Sequence, residues 1–186
     1  PLRSKDITLT LDINLQRLAK QELNSRRGAI VALDPSNGHI KAMVSSPDYN
    51  PNILNRSEFD IPLAESSLDE APFFNRAISG SYPPASTIKP FIGLLGLEEK
   101  IIDASTIIED VGFFQLKEDG RRYRGWKEDG HGKVNLEKAI VESSDVFFYE
   151  LSSKLTIDRI SSFLAKFGFG ETTGIELLTE TESILP

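Results

Sequence analysis

Apolar residues at Leu15, Leu18, Ala19 and Leu23 recur at the three-and-four spacing of one helix face, and Asp12 stands where a capping side chain would open that helix. Arg26-Arg27 followed by Gly28 reads as its stop. The pattern then shortens. Ala29 to Leu33 and His39 to Val44 are two β-prone runs around Asp34-Pro35-Ser36-Asn37-Gly38, a cluster of turn formers that predicts a hairpin with His39 opening its second strand. From Ser46 to Ala85 the periodicity dissolves into a long segment holding Pro47, Pro51, Pro62, Pro72, Pro83 and Pro84. Loops of that length in a compact domain are often functional. The run Phe91-Ile92-Gly93-Leu94-Leu95-Gly96-Leu97 is too densely apolar for a surface helix and predicts a buried one. Residues 110–133 mix glycine and charge without a period. Beyond them Asn135 opens a helical pattern through Ala139-Ile140-Val141, and a second helix is expected from about Asp145 to Leu155. A third, capped by Thr156, carries Ile157, Ile160, Phe163, Leu164 and Phe167 to a stop at Gly168.

Composition narrows the classes of function. The 186 residues carry 21 Lys and Arg against 28 Asp and Glu, a net charge of -7 with no basic block longer than Arg121-Arg122 and Arg124. Polyanion binding needs clustered cations, so nucleic acid is not an expected partner. There is no cysteine, which removes disulfides and a thiol nucleophile. No apolar run approaches the ~20 residues that cross a bilayer. The chain begins at Pro1 without a Met, and an excised piece of a longer protein, with an anchor or signal lost, is the expectation.

With two His and no Cys, the search for a nucleophile turns to hydroxyls activated by something other than histidine. The candidate is Ser86-Thr87-Ile88-Lys89. Ser and Lys three apart share one helix face, which would bring the amine near the hydroxyl. A desolvated lysine at the positive end of a helix has its neutral form favoured and could take the serine proton. The spacing alone is weak, because chance supplies about one such tetrad in a chain of this Ser and Lys content. The same residues also suit an ordinary N-cap with a solvated lysine. Context adds more: Pro90 is tolerated only in a helix's first turn and Pro83-Pro84 stiffen the approach, so Ser86 is expected at a helix N-terminus where free amides could stabilise an oxyanion.

The run Asn75-Arg76-Ala77 through Tyr82-Pro83-Pro84-Ala85-Ser86-Thr87-Ile88-Lys89-Pro90 resembles the active-site segment of penicillin-binding protein transpeptidases. Gly28 to Pro35, with Gly38, Ala42-Met43-Val44-Ser45 and Pro47, is similar to their opening hairpin. Tyr123-Arg124-Gly125-Trp126-Lys127, Gly130-His131-Gly132, Ser143-Ser144-Asp145, Phe167-Gly168-Phe169-Gly170 and Thr173-Gly174-Ile175 resemble the elongation-type class B branch, penicillin-binding protein 2. The resemblance spans nearly the whole chain. It implies an α+β fold of the penicillin-binding protein/serine β-lactamase type, an antiparallel sheet flanked by helices, with residues 1–27 as a lead-in and residues 28–186 as the N-terminal part of the transpeptidase domain. It implies that Ser86 is acylated, that Lys89 accepts its proton, and that Ser143 relays a proton between Lys89 and the leaving amine. Asp145 stands where most of the superfamily has Asn; as an acceptor-only group it is expected to bind a backbone or amine donor. The implied partners are D-Ala-D-Ala stem peptides of peptidoglycan, β-lactams and a membrane glycosyltransferase of the elongation machinery, with no cofactor. The implied location is the bacterial inner membrane with the domain in the periplasm. A serine β-lactamase or β-lactam sensor, and a non-catalytic partner-binding module, remain as alternatives.

Two departures stand out. The superfamily's third motif, Lys-Thr-Gly on the strand beside the nucleophile, is nowhere in these residues, and Thr172-Thr173-Gly174 lacks its lysine. The chain is therefore expected to stop before that strand, and alone to acylate far more slowly than its parent. The second concerns zinc, which some members of this branch bind with two Asp, a His and a Cys. The matching positions here are Asp110, Gly125, His131 and Ser144. Two of the four ligands are lost, so no metal is expected and His131 reads as structural.

Overall fold

The computed structural model describes residues 6–51, 71–116, 120–177, 180–182 and 185. The chain forms two compact units, Pro1–Ser81 with Ile175–Thr181, and Tyr82–Gly174 with Glu182–Pro186.

In the first unit the helix α1 (Ile13–Leu23) starts where Asp12 predicts, its carboxylate accepting from the Asn14 and Leu15 amides. Its end differs from the expectation. Asn24, in the left-handed conformation at φ 45, closes the helix, and Arg26 donates to the Glu22 carbonyl at 2.6 Å. Gly28 instead begins strand β1 (Gly28–Leu33). Asn is the other residue that tolerates this conformation, which is why the glycine signal was misplaced. Only Ala19 and Leu23 of the apolar stripe are buried, against Ala42 and Val44; Leu15 and Leu18 remain 36% and 51% exposed. Strand β2 (Ile40–Ser46) pairs antiparallel with β1 from Gly28↔Ser46 to Leu33↔Ile40, with an irregularity at Ala32/Leu33. His39 stands just before β2, its carbonyl accepting from the Asp34 amide at 2.9 Å. Residues 52–70 of the proline-rich segment, Pro62 among them, lie outside the described residues. The segment returns at Ala71, and the Arg76 amide donates to Ser45 Oγ at 3.0 Å.

The second unit builds its core from helices α2 (Lys89–Glu98), α3 (Leu136–Val141), α4 (Asp145–Lys154) and α5 (Ile157–Ala165). Asn135, Ser144 and Thr156 cap the last three, each side chain accepting an amide from the first turn. Ile92 and Leu95 meet Phe147, Phe148 and Leu151 there. Two α2 glycines allow the close approach: a Cβ on Gly93 would lie 2.8 Å from Leu136 Cδ1, and one on Gly96 would lie 2.9 Å from Leu151 Cδ1. The α2 helix is buried along one side, at Ile92, Gly93, Leu95 and Gly96, whereas Leu94 and Leu97 are 47% and 37% exposed.

In and around the stretch 110–133, aperiodic as sequence, the described residues form four short strands: β3 (Ile108–Asp110) pairs with β6 (Gly132–Val134), and β4 (Phe113–Gln115) with β5 (Arg122–Arg124), all antiparallel. Three residues are too few to show an alternation. Backbone geometry makes the turns. Gly112 and Gly130 adopt φ of 87° and 71°, and a Cβ on either would stand 1.9 Å from the Glu128 carbonyl oxygen or 2.0 Å from that of Asp110. Helices around antiparallel strand pairs give the α+β class expected from the sequence.

Candidate active site

Ser86 lies in a single 3-10 turn, Ala85–Ile88, that runs directly into α2, with Pro90 in the first turn of that helix. Pro84 precedes the turn and no side chain caps it, so Ser86 is not an ordinary N-cap. Its exposed hydroxyl accepts instead from Ser143 Oγ at 2.9 Å. Lys89, one turn on, is only 7% exposed. Its amine donates to the Ser143 carbonyl at 2.8 Å, to Ser143 Oγ at 3.1 Å and to Asp145 Oδ1 at 2.6 Å. These three acceptors match the three N–H donors of an ammonium. Spacing suggests a direct Ser86–Lys89 contact; the structure interposes Ser143. The two hydrogen bonds point from the amine through Ser143 to Ser86, so both must reverse for the Ser86 proton to travel along them to Lys89.

Ser143 reaches this position through its backbone. It sits at φ 53, between the end of α3 and the cap of α4, while Ala85, just before Ser86, sits at φ 48. Left-handed conformations cost a non-glycine residue roughly 1–2 kcal/mol each. One such residue thus carries a hydroxyl of the pair, and the other directly precedes its partner. Asp145, in the first turn of α4, accepts from Lys89 through one oxygen and from the Trp126 amide at 3.2 Å through the other. Trp126 extends across the junction, its indole N–H donating to the Glu142 carbonyl at 3.1 Å. Burial, and then the Asp145 charge, push the Tyr149 phenol above its ordinary value, which keeps it protonated near neutral pH and unsuited to act as the base.

A family model, the penicillin binding protein transpeptidase domain, matches residues 28–186. The chain belongs to the penicillin-binding protein transpeptidase family. It is 45% identical to the peptidoglycan D,D-transpeptidase MrdA of Acinetobacter baumannii over 100% of its own length and 28% of that protein's. The chain therefore spans less than a third of that curated relative. Among solved structures, Pseudomonas aeruginosa PBP2 superposes with a TM-score of 0.89 at 40% identity, covering 100% of this chain and 42% of the other. Helicobacter pylori PBP2, from its complex with MreC, superposes at 0.87 with 36% identity, covering 95% and 33%.

A buried group lies behind the serine pair. Asp110, 2% exposed at the end of β3, accepts through Oδ2 from Ser144 Oγ at 2.6 Å and from His131 Nδ1 at 2.8 Å, and through Oδ1 from the Gly112 amide at 2.9 Å. Burial by itself would raise this carboxyl, but donation from Ser144, His131 and Gly112 outweighs it and holds the group below its ordinary value. The residues do not fit the zinc bound by some members of the branch. Gly125 has no side chain, Ser144 offers a hydroxyl already donated, and the histidine nitrogen nearest Asp110 is taken by that carboxylate. Among the described residues no group of three or more His, Cys, Asp and Glu could hold a metal ion. Sequence reasoning named Asp110, His131 and Ser144 only as remnants of a metal site. Their mutual contact rests on the three-residue pairing of β3 with β6, which leaves no periodic signal.

Proposed function

We propose that the protein carrying this chain is a peptidoglycan D,D-transpeptidase in which Ser86 is the acylated nucleophile. The observation that carries this reading is the unbroken Ser86–Ser143–Lys89–Asp145 chain of contacts in a transpeptidase-family fold. Ser86 Oγ attacks the penultimate D-Ala carbonyl of a stem peptide, the bond to the terminal D-Ala nitrogen breaks, and the serine proton passes by way of Ser143 and Lys89 to the departing amine. An amine from a second stem then attacks the ester, frees Ser86 and completes the cross-link. β-Lactams acylate the same oxygen through their strained amide. Lys89 acts as base and acid, Ser143 as the relay, and Asp145 fixes the amine and the Trp126 backbone.

Residues 1–27 serve as a lead-in to the domain. No helix among the described residues is long and apolar enough to cross a membrane, so the placement in the periplasm, anchored at the inner membrane, draws on the similarity to MrdA. A membrane glycosyltransferase of the elongation machinery is the partner that this family reading implies, and the complex of the Helicobacter pylori relative with MreC favours assembly with a further protein. The test is a cross-linking reaction with the full-length protein and pentapeptide-bearing glycan strands. Cross-linked dimer and one free D-Ala per cross-link are expected, both lost in Ser86→Ala. Rapid turnover of penicillin without D-Ala release would mark a β-lactamase instead.

A further inference from the structure

The buried Asp110 group makes no hydrogen bond to the Ser86 hydroxyl, and the reaction above does not use it. We propose that Asp110 is a positioning residue for acylation, holding Ser143 and Asp145 in register with Ser86 and Lys89 through the Ser144 hydroxyl. The inference rests on the reading of Ser86 as the nucleophile.

Ser144 is fully buried and sits between the two residues that contact Lys89. Its hydroxyl is used twice, donating to Asp110 and accepting from the Phe147 amide at 3.2 Å, so it ties the start of α4 to the end of β3. Ser143, next to it, holds a left-handed backbone that serine rarely adopts unless its surroundings enforce it. Its Oγ lies 2.9 Å from Ser86 and 3.1 Å from Lys89, near the limits within which a hydrogen bond retains its strength. A displacement of about 1 Å at residue 143 would break both contacts. A second link runs through His131, whose ring lies 5.3 Å from that of Trp126, and the Trp126 amide binds Asp145. With Asp110 as acceptor, His131 donates from Nδ1 and leaves Nε2 buried with no partner among the described residues. Groups of this kind are a poor way to gain stability, because a buried carboxylate and an orphaned nitrogen both carry desolvation costs that apolar residues of the same size avoid. What the carboxylate supplies is direction. It accepts from Ser144 and His131, both distant along the chain, and from Gly112 in its own turn, and so holds the first two against the end of β3.

In the full-length protein, Asp110→Asn and Ser144→Ala are compared with wild type using a fluorescent penicillin, resolving the noncovalent binding constant, the acylation rate constant and the fraction that can be acylated. We expect a rate constant lower by roughly 10- to 100-fold, as geometric misplacement of reacting groups produces, with the binding constant and the acylatable fraction unchanged. The double variant should be no slower than the slower single one, because both substitutions cut the same connection. A merely structural role would lower the acylatable fraction and leave the rate constant of the remainder intact. That outcome overturns the proposal, as do rates within about threefold of wild type in folded variants, far short of that misplacement cost, or failure of both variants to fold. Wild type is the separate control: if it forms no adduct on Ser86, the assignment of the nucleophile falls, and the positioning role falls with it.

Discussion

Gly130 and Gly168 share nearly the same backbone, at φ 71° and 80°, but differ in what surrounds them. Replacing either with alanine carries the left-handed penalty of roughly 1–2 kcal/mol. At Gly168 that is the whole effect, because nothing lies within 4 Å of the added Cβ. At Gly130 the Cβ would fall 2.0 Å from the Asp110 carbonyl oxygen and 2.5 Å from the Gly112 nitrogen. Both are backbone atoms, so no rotamer change relieves the overlap, and the β3 turn itself must shift. Overpacking of this kind costs a further ~1–3 kcal/mol, which puts Gly130→Ala at about 2–5 kcal/mol against about 1–2 kcal/mol for Gly168→Ala. Trp126 is the chain's only tryptophan and packs against His131, so its fluorescence during urea unfolding reads this region. If the two variants lose the same stability within about 0.5 kcal/mol, the turn is not the tightly closed structure described here.

Three further outcomes are expected. Asp110 has its folded-state pKa lowered, so the stability it contributes is fully present above the ordinary carboxyl range and is lost as pH falls through the depressed folded value. Wild type should therefore exceed Asp110→Asn in urea midpoint at pH 6 and converge with it below about pH 3, and a gap independent of pH contradicts the assignment. Phe147→Ala removes a side chain with no exposed surface and should cost about 3–5 kcal/mol in the same assay; a loss below about 1 kcal/mol would mean that α4 is not packed in the core. Protein purified without chelator should contain no stoichiometric zinc by elemental analysis, and one zinc per chain would show that Asp110 and His131 ligate metal despite Gly125 and Ser144.

The parts of this molecule legible in the sequence are those fixed by neighbours along the chain. Asp12, Asn135 and Thr156 announce helix starts because a capping side chain bonds amides two or three residues away. Pro83-Pro84 and Pro90 frame Ser86 for the same local reason. The relation of Ser86 to Lys89 was only partly visible: helix spacing brings the two close, but the intermediary, Ser143, comes from 57 residues further on. The Asp110–Ser144–His131 contacts were hidden more deeply, since they depend on short strands turned by Gly112 and Gly130 rather than on any apolar period. Exposure of Leu15, Leu18 and Leu94 was hidden too, because a stripe of apolar residues does not say how much of it another element covers.

The most direct test of the central claim is where penicillin attaches. Full-length protein treated with penicillin, measured as intact mass and then mapped by peptide, should carry one adduct per molecule on the Ser86 hydroxyl. An adduct on Ser81 or Ser143, or no adduct at all, would contradict the account.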